Sequence, residues 1–353
     1  MCIRDRSVTA NNVASNNYTG AADIQLVNTI ATTFALGSGN DTVSGNGTAA
    51  AYTIDFGDGV DTLELGTDYS GSLLTLSNLE MINATGNAEV DEIDVDGMTL
   101  TVTGANDFKV SDQGGVGASI NMANITKVDG TFTIDGGAGG DNITGSAISA
   151  TVINGLAGAD IIVGGAGADT IRGGDGLDTL TGGGGADDFD VGEEGSTNYS
   201  TIKDFSVATV VDELHIDISA INGGNLMDTQ GDAEGNGTLT VVEYTGVAAL
   251  ASNASGTSLI KCTATDYTAF TGVNADIDAF NITLDGGSSG FAIGEGILMT
   301  YHDTDDAQMI LGYIESDTAD IFDNGNTFVE LARVDMTASD YTLITAAHFD
   351  FVA

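Results

Sequence analysis

Residues 155–190 read GLAGADIIV, GGAGADTIR, GGDGLDTLT and GGGGADDFD when the sequence is written in nines. Every unit has an aspartate at its sixth position and one large apolar residue two positions later. These residues are Asp160, Asp169, Asp178 and Asp187, followed by Ile162, Ile171, Leu180 and Phe189. A flexible glycine linker would have a similar composition, but it has no reason to keep aspartate and apolar residues in phase. The pattern therefore predicts stacked coils.

The glycine-rich half of each unit is suited to a turn that holds a cation. Glycine adopts positive φ angles that residues with a Cβ resist, so the carbonyl groups of the turn can point inward. Calcium takes six to eight oxygen ligands at roughly 2.3–2.6 Å, which carbonyls and carboxylates supply together. Two units complete one coil, so Asp160 is expected over Asp178, and Asp169 over Asp187. A shared cation would relieve the repulsion within each pair.

The pattern G-G-x-G-x-D-x-U-x resembles the calcium-binding nonapeptide of the RTX (repeats-in-toxin) family, which forms a parallel β-roll. The resemblance implies several bound Ca²⁺ ions, held by aspartates and by glycines of the turns. The predicted ligands in the repeats are Asp141, Asp160, Asp169, Asp178, Asp187, Gly136, Gly139, Gly155, Gly158, Gly164, Gly167, Gly173 and Gly176.

An earlier copy, GGAGGDNIT at residues 136–144, places Asp141 nineteen residues before Asp160. The unit at 145–153 keeps the length of nine but has Ala150 at the aspartate position, and one extra residue follows it. We interpret this region as a coil that has lost one site and absorbs the insertion as a bulge. About three shared calcium sites remain on this interpretation.

The composition restricts the fold and the partners. The chain has 353 residues, with 52 acidic residues against 8 basic ones and a formal charge of −44. This charge excludes a nucleic-acid partner held by phosphate contacts, disfavours anionic membrane surfaces and predicts self-repulsion unless cations bind. The apolar content of 42%, fifty glycines and the absence of proline and tryptophan indicate an all-β protein with little helix. We expect a parallel β-roll or β-solenoid with flanking β-rich domains.

The chain is predicted to contain no disulfide framework and no membrane insertion. Cys2 and Cys262 are the only cysteines. No stretch approaches the ~20 apolar residues of a transmembrane helix. The first residues, MCIRDR, look like translated adaptor sequence, so we expect the genuine start to be missing. The predicted divisions are a non-native leader at 1–8, a β-rich solenoid-like domain at 9–133, the roll at 134–190, capping strands at 191–222 and a C-terminal β-rich domain at 223–353.

Two half-repeats precede the roll, at residues 37–43 and 57–65, and their aspartates Asp41 and Asp61 are twenty residues apart. That spacing is near the length of one solenoid coil, but each half-repeat lacks a neighbouring copy, so a metal site and an ordinary aspartate-rich β-turn both stay open. Residues 73–86 resemble rungs of large RTX surface proteins and bacterial S-layer proteins. Residues 98–103 alternate as a half-buried strand does.

A second calcium signature is DAEGNGTLTVVE at residues 232–243. It fits the EF-hand loop, in which the sixth residue is glycine and the twelfth is a chelating glutamate. Glutamate at the third position departs from that pattern, and no entering helix is evident, so an acidic hairpin turn is the alternative. The predicted ligands are Asp232, Glu234, Asn236, Thr238 and Glu243.

Several segments after the roll have recognisable patterns. The strings TIKDF at 201–205 and DELHIDI at 212–218 match strands that close RTX rolls and cover the last apolar layer. Residues 266–280 have helical spacing of apolar residues, and 297–302 with 307–314 predict a hairpin. Residues 317–330 form another acidic turn and a weak metal candidate. The C-terminal residues 345–353 resemble the uncleaved signal of type I secretion substrates.

The sequence predicts no enzymatic activity. There is no His-Glu-x-x-His motif, and His215, His302 and His348 are scattered. Ser288 lies in a formal G-x-S-x-G match, but a nucleophile elbow needs a strand before it and a helix after it. The glycine clusters lack a Walker lysine. In a β-roll, we interpret acidic residues as metal ligands rather than as acid–base pairs for catalysis.

These observations predict an extracellular or cell-surface, calcium-dependent structural protein that self-assembles into a surface layer or filament after type I secretion. The expected partner is a second copy of the chain, and a cell-surface polysaccharide anchor could lie in missing N-terminal sequence. The alternative is the calcium-binding and secretion module of a secreted RTX adhesin or enzyme.

Overall fold

The computed structural model describes residues 6–7, 13–14, 23–26, 32–45, 51–66, 74–112, 115, 117–191, 199–208, 210–217, 240–244, 258–262, 296–303, 306–315 and 327–352. The chain is 54% strand and 7% helix, with a parallel β-solenoid of about 7 turns. This confirms the predicted all-β parallel roll. Two compact units, residues 1–171 and 172–353, divide the chain.

The first unit consists of short strands and one helical turn, α1 (Glu92–Val95). The strands are β1 (Arg6–Ser7), β2 (Val13–Ala14), β3 (Asp23–Leu26), β4 (Thr32–Ala35), β5 (Thr42–Gly45), β6 (Tyr52–Asp55), β7 (Thr62–Leu65), β8 (Leu74–Ser77), β9 (Met81–Ala84), β10 (Ala88–Asp91), β11 (Leu100–Thr103), β12 (Phe108–Ser111), β13 (Ser119–Asn121), β14 (Ile125–Lys127), β15 (Phe132–Asp135), β16 (Asn142–Thr144), β17 (Val152–Ala157) and β18 (Ile161–Gly165). Strand β19 (Thr170–Asp175) begins at the boundary.

All strand pairs described for this unit are parallel and lie in four ladders. The ladders run β1-β3-β5-β7-β9-β11-β14, β2-β4-β6-β8, β10-β12-β15-β17 and β13-β16-β18. Since side chains alternate along a strand, every second residue enters the core. The inward residues therefore stack in apolar rows, which are Val43-Leu63-Ile82-Val102, Phe34-Ile54-Leu76, Val90-Val110-Ile134-Ile153 and Ile120-Ile143-Ile162.

The second unit continues parallel coils and adds an antiparallel region. Its further strands are β20 (Thr179–Gly183), β21 (Asp188–Val191), β22 (Ser200–Ile202), β23 (Glu213–Asp217), β24 (Thr240–Tyr244), β25 (Ser258–Cys262), β26 (Gly296–Asp303), β27 (Gln308–Glu315), β28 (Thr327–Asp335) and β29 (Phe349–Val352). Helix α2 (Ala338–Leu343) and a 3-10 turn (Ala346–His348) precede β29. Within the described ranges, no helix has the length and apolar character needed to cross a membrane.

The ladders of this unit run β20-β22-β28-β27-β26-β25-β24 and β19-β21-β23-β29. Strands β26 and β27 pair antiparallel from Gly296↔Glu315 to Asp303↔Gln308, which confirms the predicted hairpin. Strand β28 pairs antiparallel with β27.

The predicted closing strands exist, but they do not close the roll. Strand β22 pairs with β28 through Thr201↔Arg333, and β23 pairs with β29 through His215↔Asp350. The predicted capping strands therefore pair with the roll on one side and with C-terminal strands on the other. An open parallel edge attracts further strands, and here those strands come from the C-terminal part of the chain. Phe349 extends the inward row by pairing with Leu214.

Candidate metal centres

The aspartates of the repeats are buried where each turn meets its strand. Asp160, Asp169, Asp178 and Asp187 are each 1% exposed, and Asp141 is 2% exposed. Aspartate is rarely buried so deeply unless it is paired or binds a metal. The burial therefore supports a common role for these five residues.

In three described contacts, one carboxylate oxygen of an aspartate accepts a hydrogen bond from the backbone of the preceding coil. Asp160 Oδ1 accepts a hydrogen bond from the backbone N–H of Asp141 at 2.7 Å. Asp169 Oδ1 accepts one from the N–H of Thr151 at 2.7 Å, and Asp141 Oδ1 accepts from the N–H of Ala118. These contacts place side chains over one another at spacings of 19 and 18 residues. The aspartates thus form ladders along the coil axis.

The second oxygen of Asp141 faces its own turn. Asp141 Oδ2 is buried without a hydrogen-bond partner among the described residues, and a Cβ on Gly136 would come within 2.6 Å of it. Burial raises the pKa of the Asp141 carboxyl above its ordinary value, and the charge of Asp112 raises it further. A buried carboxylate oxygen without a donor is costly, and a cation in the turn removes that cost. The site therefore fits calcium.

The turns are packed too tightly for side chains. The turn at 136–140 bonds to the next coil through Gly136 N–H to Asn154 O (2.8 Å) and Gly139 N–H to Ala157 O (2.6 Å). Gly158 has a φ of 135°, and a Cβ there would overlap the carbonyl oxygen of Gly139. Stacked carbonyls and carboxylates are the oxygen set that calcium prefers.

The predicted glycine ligands all lie in or beside such turns. The glycine at the first position of each unit is buried, and the one at the fourth position is half-buried. The buried glycines are Gly136, Gly155, Gly164 and Gly173, and the half-buried ones are Gly139, Gly158, Gly167 and Gly176. In the second unit, a Cβ on Gly173 would meet the carboxylate of Asp178. The repeat therefore has the same internal geometry there as around Asp141.

The structure corrects the reading of the degenerate unit at 145–153. Thr151, not Ala150, stands at the aspartate position, because its N–H bonds Asp169 as the N–H of Asp141 bonds Asp160. The extra residue therefore lies in the turn at 145–150 rather than after Ile153. Thr151 also precedes Ile153 by two residues, which is the spacing of every intact unit. The lost carboxylate is confirmed, and only its position changes.

Asp41 and Asp61 form a further ladder in the first unit. They are 1% and 0% exposed, and the N–H of Asp41 donates to Asp61 Oδ1 at 2.6 Å. Their turns stack through Gly39 N–H to Asp58 O (2.8 Å) and Asp58 N–H to Gly37 O (2.9 Å). The two half-repeats are therefore neighbours, and the interpretation that each lacks a neighbouring copy is wrong. Their coil is twenty residues long, which a nine-residue register does not detect.

Asp61 has the features of Asp141. Its Oδ2 is buried without a hydrogen-bond partner among the described residues. Burial raises the pKa of the Asp61 carboxyl, and the charges of Asp41 and Glu80 raise it further. The N–H of Asp61 donates to Glu80 Oε2 at 2.9 Å, so a glutamate takes the aspartate position in the next coil. We call Asp41, Asp61, Asp141, Asp160, Asp169, Asp178 and Asp187 the ladder aspartates.

Sequence reasoning missed Asp212, which lies after Asp187 in the second unit. The N–H of Asp187 donates to Asp212 Oδ1 at 3.0 Å, and the N–H of Ser206 donates to Oδ2 at 2.7 Å. Burial raises the pKa of Asp212 to about 6. Asp212 precedes the buried Leu214 by two residues, and that spacing is the signal that could have found it. Both oxygens of Asp212 therefore accept hydrogen bonds, whereas Oδ2 of Asp61 accepts none among the described residues.

The EF-hand-like candidates are mostly outside the described residues. These are Asp232, Glu234, Asn236 and Thr238, together with the predicted helix at 266–280, Ser288 and residues 317–326. Glu243 lies in strand β24, and its side chain is not described. The EF-hand-like loop therefore stays a prediction from the sequence.

Comparison with known families agrees with this geometry. Residues 152–193 match the family model of the RTX calcium-binding nonapeptide repeat in four copies. No curated protein matches the chain. The match omits the turn of Asp141 and the ladder of Asp41 and Asp61, where the same contacts recur. The nonapeptide match at 152–193 and the parallel coils together support an RTX β-roll with calcium-binding repeats in this part of the chain.

Proposed function

We propose that this chain is an extracellular structural protein that folds when calcium fills its turns and then assembles with copies of itself into a surface layer or filament. The observation that carries the proposal is the buried Oδ2 atom of Asp61 and of Asp141, which has no hydrogen-bond partner among the described residues. Without a cation this arrangement opposes folding. With a cation the binding free energy becomes folding free energy.

Calcium, when bound, supplies positive charge and a coordination shell of oxygens at the turns. The chain's own residues connect neighbouring coils and fill the core. The Oδ1 atoms of the ladder aspartates hold the backbone N–H groups of the preceding coil, as Asp160 does for Asp141. The inward rows then pack into a continuous core, as Ile134 does between Val110 and Ile153. A chain with this design stays unfolded at low calcium, suits export through a narrow channel, and folds outside.

Self-association is supported by an exposed strip with few charges. Thr33, Thr53 and Thr75 lie in register on β4, β6 and β8 and point outward. We call these three residues the threonine strip. A flat parallel face of uncharged β-branched side chains can meet another copy without burying an unpaired charge. Bound cations would reduce the long-range repulsion between chains of formal charge −44.

The proposal is tested by titrating the purified chain with calcium while circular dichroism and light scattering are recorded. We expect a transition from coil to β-structure, followed by ordered polymers, and reversal on addition of chelator. Asp178→Asn should shift the transition to higher calcium. Asp175→Asn is the matched control, because Asp175 is exposed on the same turn. Catalysis has no place in this proposal.

Assembly that proceeds unchanged in excess chelator contradicts the proposal. Folding that stops at a monomer keeps the calcium-dependent roll but replaces self-assembly with a module of a secreted adhesin or enzyme. A chain that does not respond to calcium contradicts both.

A further inference from the structure

The outer face of strands β21, β23 and β29 in the second unit carries a histidine among carboxylates. Asp188 pairs with Glu213 across β21 and β23, and His215 pairs with Asp190 on one side and Asp350 on the other. Their inward neighbours, Phe189 and Leu214, are buried in the core. The pleat therefore points these polar side chains away from the core.

His215 lies between carboxylates on both sides of its ring. Its Nδ1 is 3.4 Å from Asp190 Oδ1, and its Nε2 is 3.8 Å from Asp188 Oδ1 and 3.7 Å from Asp350 Oδ2. The two Nε2 distances are too long for hydrogen bonds. Asp190 is also paired with Arg172 at 2.9 Å, which fixes it beside the ring.

The carboxylates around the His215 ring favour a cation on its Nε2 side. With Nδ1 directed at a carboxylate, a neutral imidazole carries its proton on Nδ1 and its lone pair on Nε2. That lone pair then faces Asp188 and Asp350, which repel it unless a proton or a metal ion lies between them.

The ligand atoms are grouped closely enough to share one ion. Asp188, Glu213 and His215 each offer one ligand atom, and these atoms lie within 4.8 Å of one another. Around a tetrahedral zinc ion, ligand atoms are separated by roughly 3–3.5 Å. Small rotations of partly exposed side chains close the difference.

The chemistry of the set differs from that of the turns. Calcium takes oxygen ligands, whereas an imidazole nitrogen with carboxylates suits first-row transition metals such as Zn²⁺. A carboxylate on the far nitrogen of a ligating histidine is the usual outer-shell arrangement, and Asp190 supplies it.

We propose that Asp188, Glu213 and His215 bind a transition-metal ion of the Zn²⁺ class, with Asp190 orienting His215 and Asp350 within reach as a fourth ligand. The ion ties β21 to β23 and, through Asp350, to β29. This site is independent of the calcium turns and of the proposed assembly.

The test uses the full chain at saturating calcium, titrated with Zn²⁺ by calorimetry and with Co²⁺ by visible absorption. We expect one ion per chain at this site. The chain has three histidines, so the imidazole ¹⁵N spectrum distinguishes His215 from His302 and His348, and only His215 should shift. His215→Asn and Glu213→Gln should each weaken binding by at least about tenfold.

The matched control is Glu64→Gln, because Glu64 sits at an outward position of β7 and contacts Asn83 rather than a histidine. It should bind Zn²⁺ as the wild type does. Absence of Zn²⁺ binding, or binding unaffected by both ligand variants, overturns the proposal and leaves a simple ion pair at His215. A Zn²⁺-induced shift of another histidine in place of His215 also overturns it. If His215→Asn does not fold, Glu213→Gln and the wild-type imidazole spectrum decide.

Discussion

At the scale of single residues, the two oxygens of a ladder aspartate have separate tasks. Asp61 Oδ1 accepts the N–H of Asp41, while Oδ2 is buried without a hydrogen-bond partner among the described residues. Asparagine can keep the first contact but removes the charge that a cation needs. Substitution therefore separates the structural task from the metal-binding task.

Asp61→Asn should lower the number of calcium ions bound per chain by one. The calcium-saturated protein should lose about 2.7 kcal/mol of stability at a calcium concentration one hundred times the Kd of that site. As the calcium concentration falls towards that Kd, this loss should shrink, because the variant no longer buries an uncompensated charge. Equilibrium dialysis and urea unfolding measure both effects. Asp58→Asn, on the exposed part of the same turn, is the control, and equal effects of the two variants contradict the assignment.

Asp94 in α1 predicts a pH effect on stability. It is fully buried, its Oδ1 accepts the N–H of Leu74 at 3.0 Å, and burial raises its pKa to about 8. A raised carboxyl pKa gives stability that is present at low pH and lost as the pH rises through the folded value. Wild-type stability should therefore fall between about pH 4, where the unfolded carboxyl ionises, and about pH 8.

In Asp94→Asn, the loss of unfolding free energy as the pH rises should be smaller by at least about 1.4 kcal/mol, the equivalent of one pKa unit. The measurement is urea unfolding at saturating calcium, with the wild type compared at each pH. Asp96→Asn is the control, because Asp96 is exposed and its Oδ1 bonds the N–H of Asn121. The assignment fails if Asp94→Asn and the wild type show the same pH dependence.

Most of the site was predictable from single residues, because an aspartate two positions before an apolar residue marks each ladder aspartate. The rule held for Asp160 and Ile162 and also identifies Asp212, and the same spacing before Ile153 places Thr151 once the fixed length of nine is given up. Counting in nines misplaced the gap at Ala150. The cluster around His215 was not predictable, because its members meet only through the pairing of three strands.

At the scale of elements, the inward rows explain why the coil can vary in length. Strands stay in register while the turns between them absorb insertions, as the turn at 145–150 does. The pairing of β22 with β28 and β23 with β29 could not be predicted, since the partners are far apart in sequence. Lys203 and Asp335, for example, form an ion pair at 3.1 Å across 132 residues.

The threonine strip gives the prediction that belongs to this scale. Thr53→Glu should leave the calcium midpoint of folding within about 0.5 kcal/mol of the wild type, because the side chain is exposed. The concentration needed for assembly should rise at least about tenfold, since a repeated charge would face its copy across the interface. Sedimentation at saturating calcium measures this. Thr131→Glu, in an exposed turn outside the strip, should assemble normally. Equal assembly of both variants rules out the strip as the contact.

At the scale of the whole molecule, the net charge of −44 allows two explanations of any calcium effect. Cations can screen the exposed acidic groups, or they can occupy the turns. Screening depends on ionic strength, with a Debye length of about 10 Å at 0.1 M, and buried groups are screened much less. Site binding depends on the size and coordination of the ion.

Calcium should therefore induce β-structure under conditions in which sodium and magnesium at the same ionic strength do not. Magnesium needs near-octahedral geometry and gives up water reluctantly, whereas the stacked carbonyls and carboxylates suit the larger, more flexible shell of calcium. Sodium reduces repulsion at the surface but leaves the buried oxygens of Asp61 and Asp141 without a ligand. Circular dichroism and the radius of gyration from X-ray scattering, measured in the three salts, check this. Folding driven equally by sodium would show that screening, and not binding at the turns, controls the structure.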